Sequence, residues 1–123
     1  MQDALPAILE ATTQEEINLY KEILADRADL AYQSLDGIDC LNPIKAKGAM
    51  YMMVDVDLQR LGFEDQPTFI QTLLDEENLF FLPGYCFGAE NMFRVVATKD
   101  RHEYEEMGVR MRRFIARRLQ DTE

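Results

Sequence analysis

Residues Ala49–Val56, "AMYMMVDV", form an almost uninterrupted apolar run, bounded by Gly48 in front and the acidic Asp57 behind. The run is short for a helix and matches the length of a strand, and its even hydrophobicity predicts a strand covered on both faces and central in its sheet. Towards the N-terminus, Asn42 and Pro43 predict a turn. Before that turn, Thr13 and Glu16 form a capping-box pattern. Ile17, Tyr20, Leu24, Ala28, Ala31 and Leu35 then recur at helical spacing until Gly37 stops the helix. Residues 1–11, "MQDALPAILEA", are helical in pattern but start without a capping residue, as a helix cut from something longer would.

Towards the C-terminus, Pro67 followed by Phe69, Ile70, Leu73 and Leu74 predicts a helix ending near Asn78. Strands are expected at Leu79–Leu82 and Met92–Ala97. A second capping box, Asp100 with Glu103, opens a final amphipathic helix carrying Tyr104, Met107, Met111, Phe114 or Ile115, and Leu119. The order helix, helix, strand, helix, strand, strand, helix predicts an α/β class, a short three-stranded sheet sandwiched with helices. At 123 residues, with 29% charged and 47% hydrophobic residues, the chain reads as one folded domain over residues 1–123.

The net charge of −10, from 23 acidic and 13 basic residues, argues against nucleic acid or anionic lipid as a partner. The basic cluster Arg110, Arg112, Arg113, Arg117 and Arg118 reads as the solvated end of the last helix. Cys40 and Cys86 have no second ligand at metal spacing, so neither zinc nor a disulfide framework is suggested, and both thiols are expected reduced in a cytoplasmic protein. No run is long enough to span a membrane and no signal peptide is read.

Few residues offer nucleophilic or acid–base chemistry. The single histidine, His102, falls in the first turn of the last helix and reads as a surface residue. Cys86 lies in a Gly-flanked loop with no basic residue or histidine beside it in sequence to activate it. Asp55 and Asp57 share a face at a strand end, which without further ligands is no metal site. No phosphate-binding glycine motif occurs. Arg94 stands out within "FFLPGYCFGAENMFRVV", residues 80–96. Alternation puts it on one strand face with Met92 and Val96, opposite Phe93, Val95 and Ala97. An ion pair with Glu90 or Asp75 and a guanidinium fork held for a ligand's carboxylate or phosphate are both open from spacing.

Three segments, "GAMYMMVDVDL" (48–58), "FIQTLLDEENLFFLPGYCFG" (69–88) and "NMFRVVAT" (91–98), resemble the C-terminal part of class I pyridoxal-phosphate-dependent aminotransferases. The nearest branch is tyrosine aminotransferase, with alanine aminotransferase next, and the likeness extends over essentially the whole chain. The resemblance implies the small domain of the fold-type I architecture. It implies that Arg94 binds the α-carboxylate of an amino-acid or 2-oxo-acid substrate, and that Pro83, Gly84 and Phe87 shape the pocket, with Gly84 letting backbone approach the ligand. It also implies a homodimeric complete enzyme using pyridoxal phosphate. The family's Schiff-base lysine and coenzyme-holding residues belong to a large domain absent from this sequence, and Lys21, Lys45, Lys47 and Lys99 match no part of that lysine's motif. The chain alone is therefore expected to hold no coenzyme, to be inactive, and to leave Arg94 accessible to solvent. A stand-alone amino-acid or keto-acid binding module and a truncated gene product are the alternative readings.

Overall fold

In the computed structural model, which describes residues 2–48 and 50–122, the central apolar run becomes strand β2, Tyr51–Val56. Ala49, read as the first strand residue, lies outside the described residues, as do Met1 of the first predicted helix and Glu123. Chain order is α1 (Leu5–Ala11), α2 (Gln14–Leu35), β1 (Leu41–Ile44), β2, α3 (Leu58–Leu61), α4 (Gln66–Glu77), β3 (Leu82–Pro83), β4 (Met92–Val96) and α5 (Arg101–Thr122). The strands form an antiparallel sheet in the order β1-β2-β4-β3, so β2 and β4 are interior. The α/β class stands, but the sheet has four strands among the described residues where three were expected. The additional one, β1, contains the Asn42-Pro43 pair that reads as a turn. It is an edge strand, and proline is tolerated there because an edge needs ladder donors on one side only. β3 is also shorter and later than expected, with Phe80 left exposed.

Both predicted capping boxes form. Thr13 Oγ1 accepts from Glu16 N at 3.2 Å while Glu16 Oε2 accepts from Thr13 N at 3.1 Å. At the start of α5, Asp100 Oδ1 accepts from Glu103 N at 3.1 Å and Glu103 Oε2 from Asp100 N at 3.3 Å. The core-facing positions of α5, Tyr104, Met107, Met111 and both Phe114 and Ile115, are buried, while Leu119 is partly buried against them. They join Phe69 and Leu73 of α4 and Met52, Val54, Phe93 and Val95 of the sheet in one apolar cluster. Phe69 links it, in contact with Phe63, Phe93 and Phe114 at centroid distances of 5.4, 5.9 and 6.1 Å. Each such aromatic contributes a large buried area and edge or tilted ring contacts.

The helices cover one sheet face only, which corrects the expectation of a doubly covered strand. Met52, Val54 and Val56 are buried, whereas Tyr51 is exposed and Met53 and Asp55 are half-buried. A continuous apolar run here carries methionine and tyrosine on the open side. The helical spacing in α2 likewise overstates its burial: Ala31 and Leu35 are buried, but Ile17 and Tyr20 are exposed, as is all of α1.

The basic cluster of α5 is not a solvated helix end. Glu77, the last residue of α4, is only 4% exposed, and its carboxylate accepts from Arg113 Nε at 3.1 Å and from Arg117 Nη2 at 3.1 Å. Arg110 Nη1 donates to the Glu77 carbonyl at 3.1 Å, and Arg118 lies over the Phe63 ring at 4.3 Å. The hydrogen bond from Arg113, followed by that from Arg117, lowers the Glu77 pKa against the opposing effect of burial. Arg110, Arg113 and Arg117 stitch α5 to α4, and Arg118 reaches the Leu61 carbonyl at the end of α3. Among the described residues no helix is long and apolar enough to cross a membrane.

Candidate functional site

Arg94 is the middle residue of β4, paired with Met53 of β2 on one side and Leu82 of β3 on the other. Phe93 and Val95 point into the core, so strand alternation sends Arg94 to the open face, as the sequence indicates. Tyr51 pairs with Val96, placing it diagonally across from Arg94 on the same face. Its ring centroid lies 4.1 Å from the guanidinium carbon. The Phe87 ring, carried by the short helical turn Gly84–Phe87, lies 4.7 Å from the same carbon. Two aromatic faces therefore hold the cation, each through its quadrupole.

No carboxylate among the described residues pairs with Arg94. Neither Glu90 nor Asp75 does so, and Asp75 instead accepts from Gln71 at 2.9 Å. Arg94 Nε is buried and has no hydrogen-bond partner among the described residues. The side chain is half-buried, less open than anticipated, because Tyr51 and Phe87 flank it. A buried donor left unpaired is costly, and a planar fork of donors matches a carboxylate in two-point geometry. The arrangement can take an anion.

Pro83 is buried and pairs with Phe93, directing the chain into the loop that bears Phe87. Gly84 is buried too, and the atoms crowding it are backbone. A Cβ there would sit 2.2 Å from the Ala89 carbonyl oxygen and 2.4 Å from that of Met92. The glycine thus serves the folding-back of its own loop, which Ala89 N closes onto Gly84 O at 2.8 Å. Gln66, at the first turn of α4, is buried beneath this loop. Its carboxamide oxygen accepts from Tyr85 N at 2.8 Å and its amide nitrogen donates to the Met92 carbonyl. Sequence reading missed Tyr51 and Gln66. For Tyr51 the signal was present, since it stands two positions from Met53 on the face Arg94 occupies.

The remaining candidates lie apart from this arrangement or lack chemistry. Cys86 shares the Phe87 turn and is exposed, and His102 is exposed on α5. Cys40, in a left-handed conformation at φ 68°, has a thiol pKa raised mainly by burial. Asp57 caps α3, accepting from Arg60 N at 3.2 Å. A hollow of about 680 Å³ lies beside Asp55, Asp57 and Cys40, yet among the described residues no three potential ligands converge for a metal, and Arg94 is not in its lining. Lys45 pairs with Asp29 at 3.8 Å, while Lys99 lines, with Arg94, Phe80 and Val96, an apolar groove of about 400 Å³.

The model of the aminotransferase class I and II family matches residues 1–110. The chain belongs to that family. Among its relatives, tyrosine aminotransferase of Caenorhabditis elegans is 35% identical over 117 residues, covering 95% of this chain and 25% of that protein. Tyrosine aminotransferase of Mus musculus is 38% identical over 99 residues, covering 80% and 22% respectively. The chain thus spans about a quarter of the length of the curated relatives it matches. The crystal structure of tyrosine aminotransferase from Leishmania infantum superposes with a TM-score of 0.80 over 94% of this chain and 29% of that one, at 23% identity, a likeness of fold. This is a tyrosine-aminotransferase-like domain of the aminotransferase family.

Proposed function

We propose that residues 1–123 are the C-terminal small domain of a tyrosine-aminotransferase-like enzyme and supply the arginine that anchors the substrate carboxylate. The observation that carries this reading is Arg94: a half-buried guanidinium held between Tyr51 and Phe87 with no anionic partner among the described residues. The rings orient the fork and shield it from water, which strengthens its attraction for a carboxylate entering from the open sheet face. Binding both the amino acid and its 2-oxo acid through the carboxylate they share fixes the α-carbon relative to the sheet. That orientation is this chain's contribution.

Family membership implies pyridoxal phosphate in the complete enzyme, where it supplies the electron sink for amino-group transfer. Of the chain's lysines only Lys99 lines the groove that Arg94 lines, and we assign no coenzyme contact to this chain. In this reading the chain alone is inactive, the complete enzyme is a homodimer, and its setting is the cytoplasm, where exposed thiols such as Cys86 persist.

The test grafts residues 1–123 in place of the matched segment of the mouse enzyme and measures transamination of tyrosine and of its keto acid. Arg94→Ala should lower kcat/KM by on the order of 30-fold to several thousand-fold, corresponding to about 2–5 kcal/mol for truncating one member of a desolvated charge pair. Arg94→Lys should fall between, because it keeps charge but loses the two-point contact. Unchanged kinetics for both variants would remove Arg94 from the anchor role. A saturable calorimetric response of the 123-residue chain to tyrosine would favour a stand-alone binding module.

A further inference from the structure

We infer that Gln66 is the positioning residue of the anion site: its carboxamide fixes the Tyr85–Met92 loop so that the Phe87 ring is seated on the Arg94 guanidinium. The bonds within the loop, Gly88 N to Tyr85 O at 3.2 Å and Ala89 N to Gly84 O at 2.8 Å, close it on itself, and only its far end is held to the sheet, where Val56 N of β2 donates to the Asn91 carbonyl at 2.8 Å. Gln66 ties it to α4 at two points, one near each end. Its oxygen takes the Tyr85 N–H two residues before Phe87, and its NH2 reaches the carbonyl of Met92, where β4 begins two residues before Arg94. One planar group thus sets the separation of the segment carrying the ring and the segment carrying the cation.

The requirement is chemically narrow. The position needs an acceptor and a donor on one terminal group, which an amide has and an ionised carboxylate lacks. It also needs the length of glutamine, since asparagine is one methylene shorter. Gln66 is itself well anchored. It is 3% exposed, and the helix it starts is capped by Asp65, whose Oδ1 accepts from Thr68 N at 2.8 Å. Phe87, by contrast, is 48% exposed, so core packing alone does not hold its ring in place. Supporting hydrogen bonds are what fix a partly exposed group at a site. The importance of this device for catalysis rests on the anchor role proposed for Arg94, while the geometry can be tested separately.

The experiment is nitrogen–proton NMR of the 123-residue chain, following the Arg94 Nε–H resonance, which the Phe87 and Tyr51 ring currents displace. Phe87→Leu removes one ring and calibrates the displacement. Gln66→Met, close in volume but without donor or acceptor, should move the resonance in the same direction by most of that amount, and the double variant should add nothing to Phe87→Leu. A resonance unmoved in Gln66→Met, even with lowered stability, would make Gln66 a merely structural residue and overturn the inference, as would full additivity in the double variant. Should Gln66→Met not fold, exchange of the Tyr85 amide in the unaltered chain decides. Protection is expected, and exchange at the rate of an unstructured peptide overturns the assignment. Loss of the anchor role in the grafted enzyme would leave these resonances unchanged, so the two claims fail independently.

Discussion

Replacing Glu77 by glutamine removes a charge while leaving the volume at the end of α4 almost unchanged. The carboxylate accepts from Arg113 Nε through both oxygens and from Arg117 Nη2 through one, all at 3.1 Å. Hydrogen bonds to charged groups contribute about 1.5–3 kcal/mol each when buried. Here the carboxylate is buried but the Arg113 and Arg117 side chains are 60% and 39% exposed, so water compensates much of the loss on their side. The variant also turns an NH2 group towards guanidinium donors. The net cost should be about 2–3 kcal/mol at neutral pH, below the full penalty for breaking a wholly buried pair. For a domain of this size that lowers Tm by roughly 8–12 °C.

The dependence on pH follows from the direction of the Glu77 shift. Its pKa is lowered in the folded chain, first by the Arg113 hydrogen bond. The contribution is therefore fully present above the ordinary value of an unfolded glutamate, 4.5 here, and is lost as pH falls through the depressed folded value. Urea titrations followed by circular dichroism at neutral pH and at steps down through that region should show the two chains converging in stability as acid is added. A difference below about 0.5 kcal/mol at neutral pH, the range of ordinary surface changes, or a difference that does not shrink in acid, would refute the assignment of Glu77 as the tie between α4 and α5.

Gly84→Ala should destabilise the domain by about 1–3 kcal/mol, the usual range for overpacking, because the added Cβ meets two backbone carbonyls that cannot rotate aside. The same urea titration measures it, and a neutral result would show that the loop relaxes freely. Tyr104→Phe removes the bond from Tyr104 Oη to the Val96 carbonyl at 2.5 Å and frees the Lys99 N–H that donates to the same oxygen at 3.1 Å. A loss of about 1–3 kcal/mol is expected, together with faster amide exchange at Lys99, and unchanged exchange there would exclude this pairing.

The parts of the fold readable in sequence were those set by local chemistry. Thr13/Glu16 and Asp100/Glu103 announce helix starts because the capping residues and their bonds lie within one turn. Arg94 and Phe93 announce their opposite faces because a strand's period is two. Features dependent on distant partners were hidden. Pro43 looks like a turn residue unless one knows that β1 is an edge, and Arg110, Arg113 and Arg117 look solvated unless Glu77 is placed beside them. Likewise, nothing local to Gln66 tells that Met92 will lie within its reach. For the candidate site, the cation was legible and Phe87 was expected beside the pocket through the resemblance, but the seating of the Tyr51 and Phe87 rings on Arg94 was not, because they approach it from a neighbouring strand and a loop.

The placement of Arg94 next to Phe93 in an interior strand has a consequence for folding fidelity. A slip of β4 by one residue against β2 would drive the guanidinium into the aromatic cluster and expel Phe93 to the open face. Few pairing errors carry so large a penalty, since one step both strands a charge in hydrocarbon and empties a ring from the core. The residue poised to meet an anion therefore also checks the alignment of the sheet. Substituting it with leucine or methionine should leave a chain that tolerates misaligned β4 far better than the natural one does.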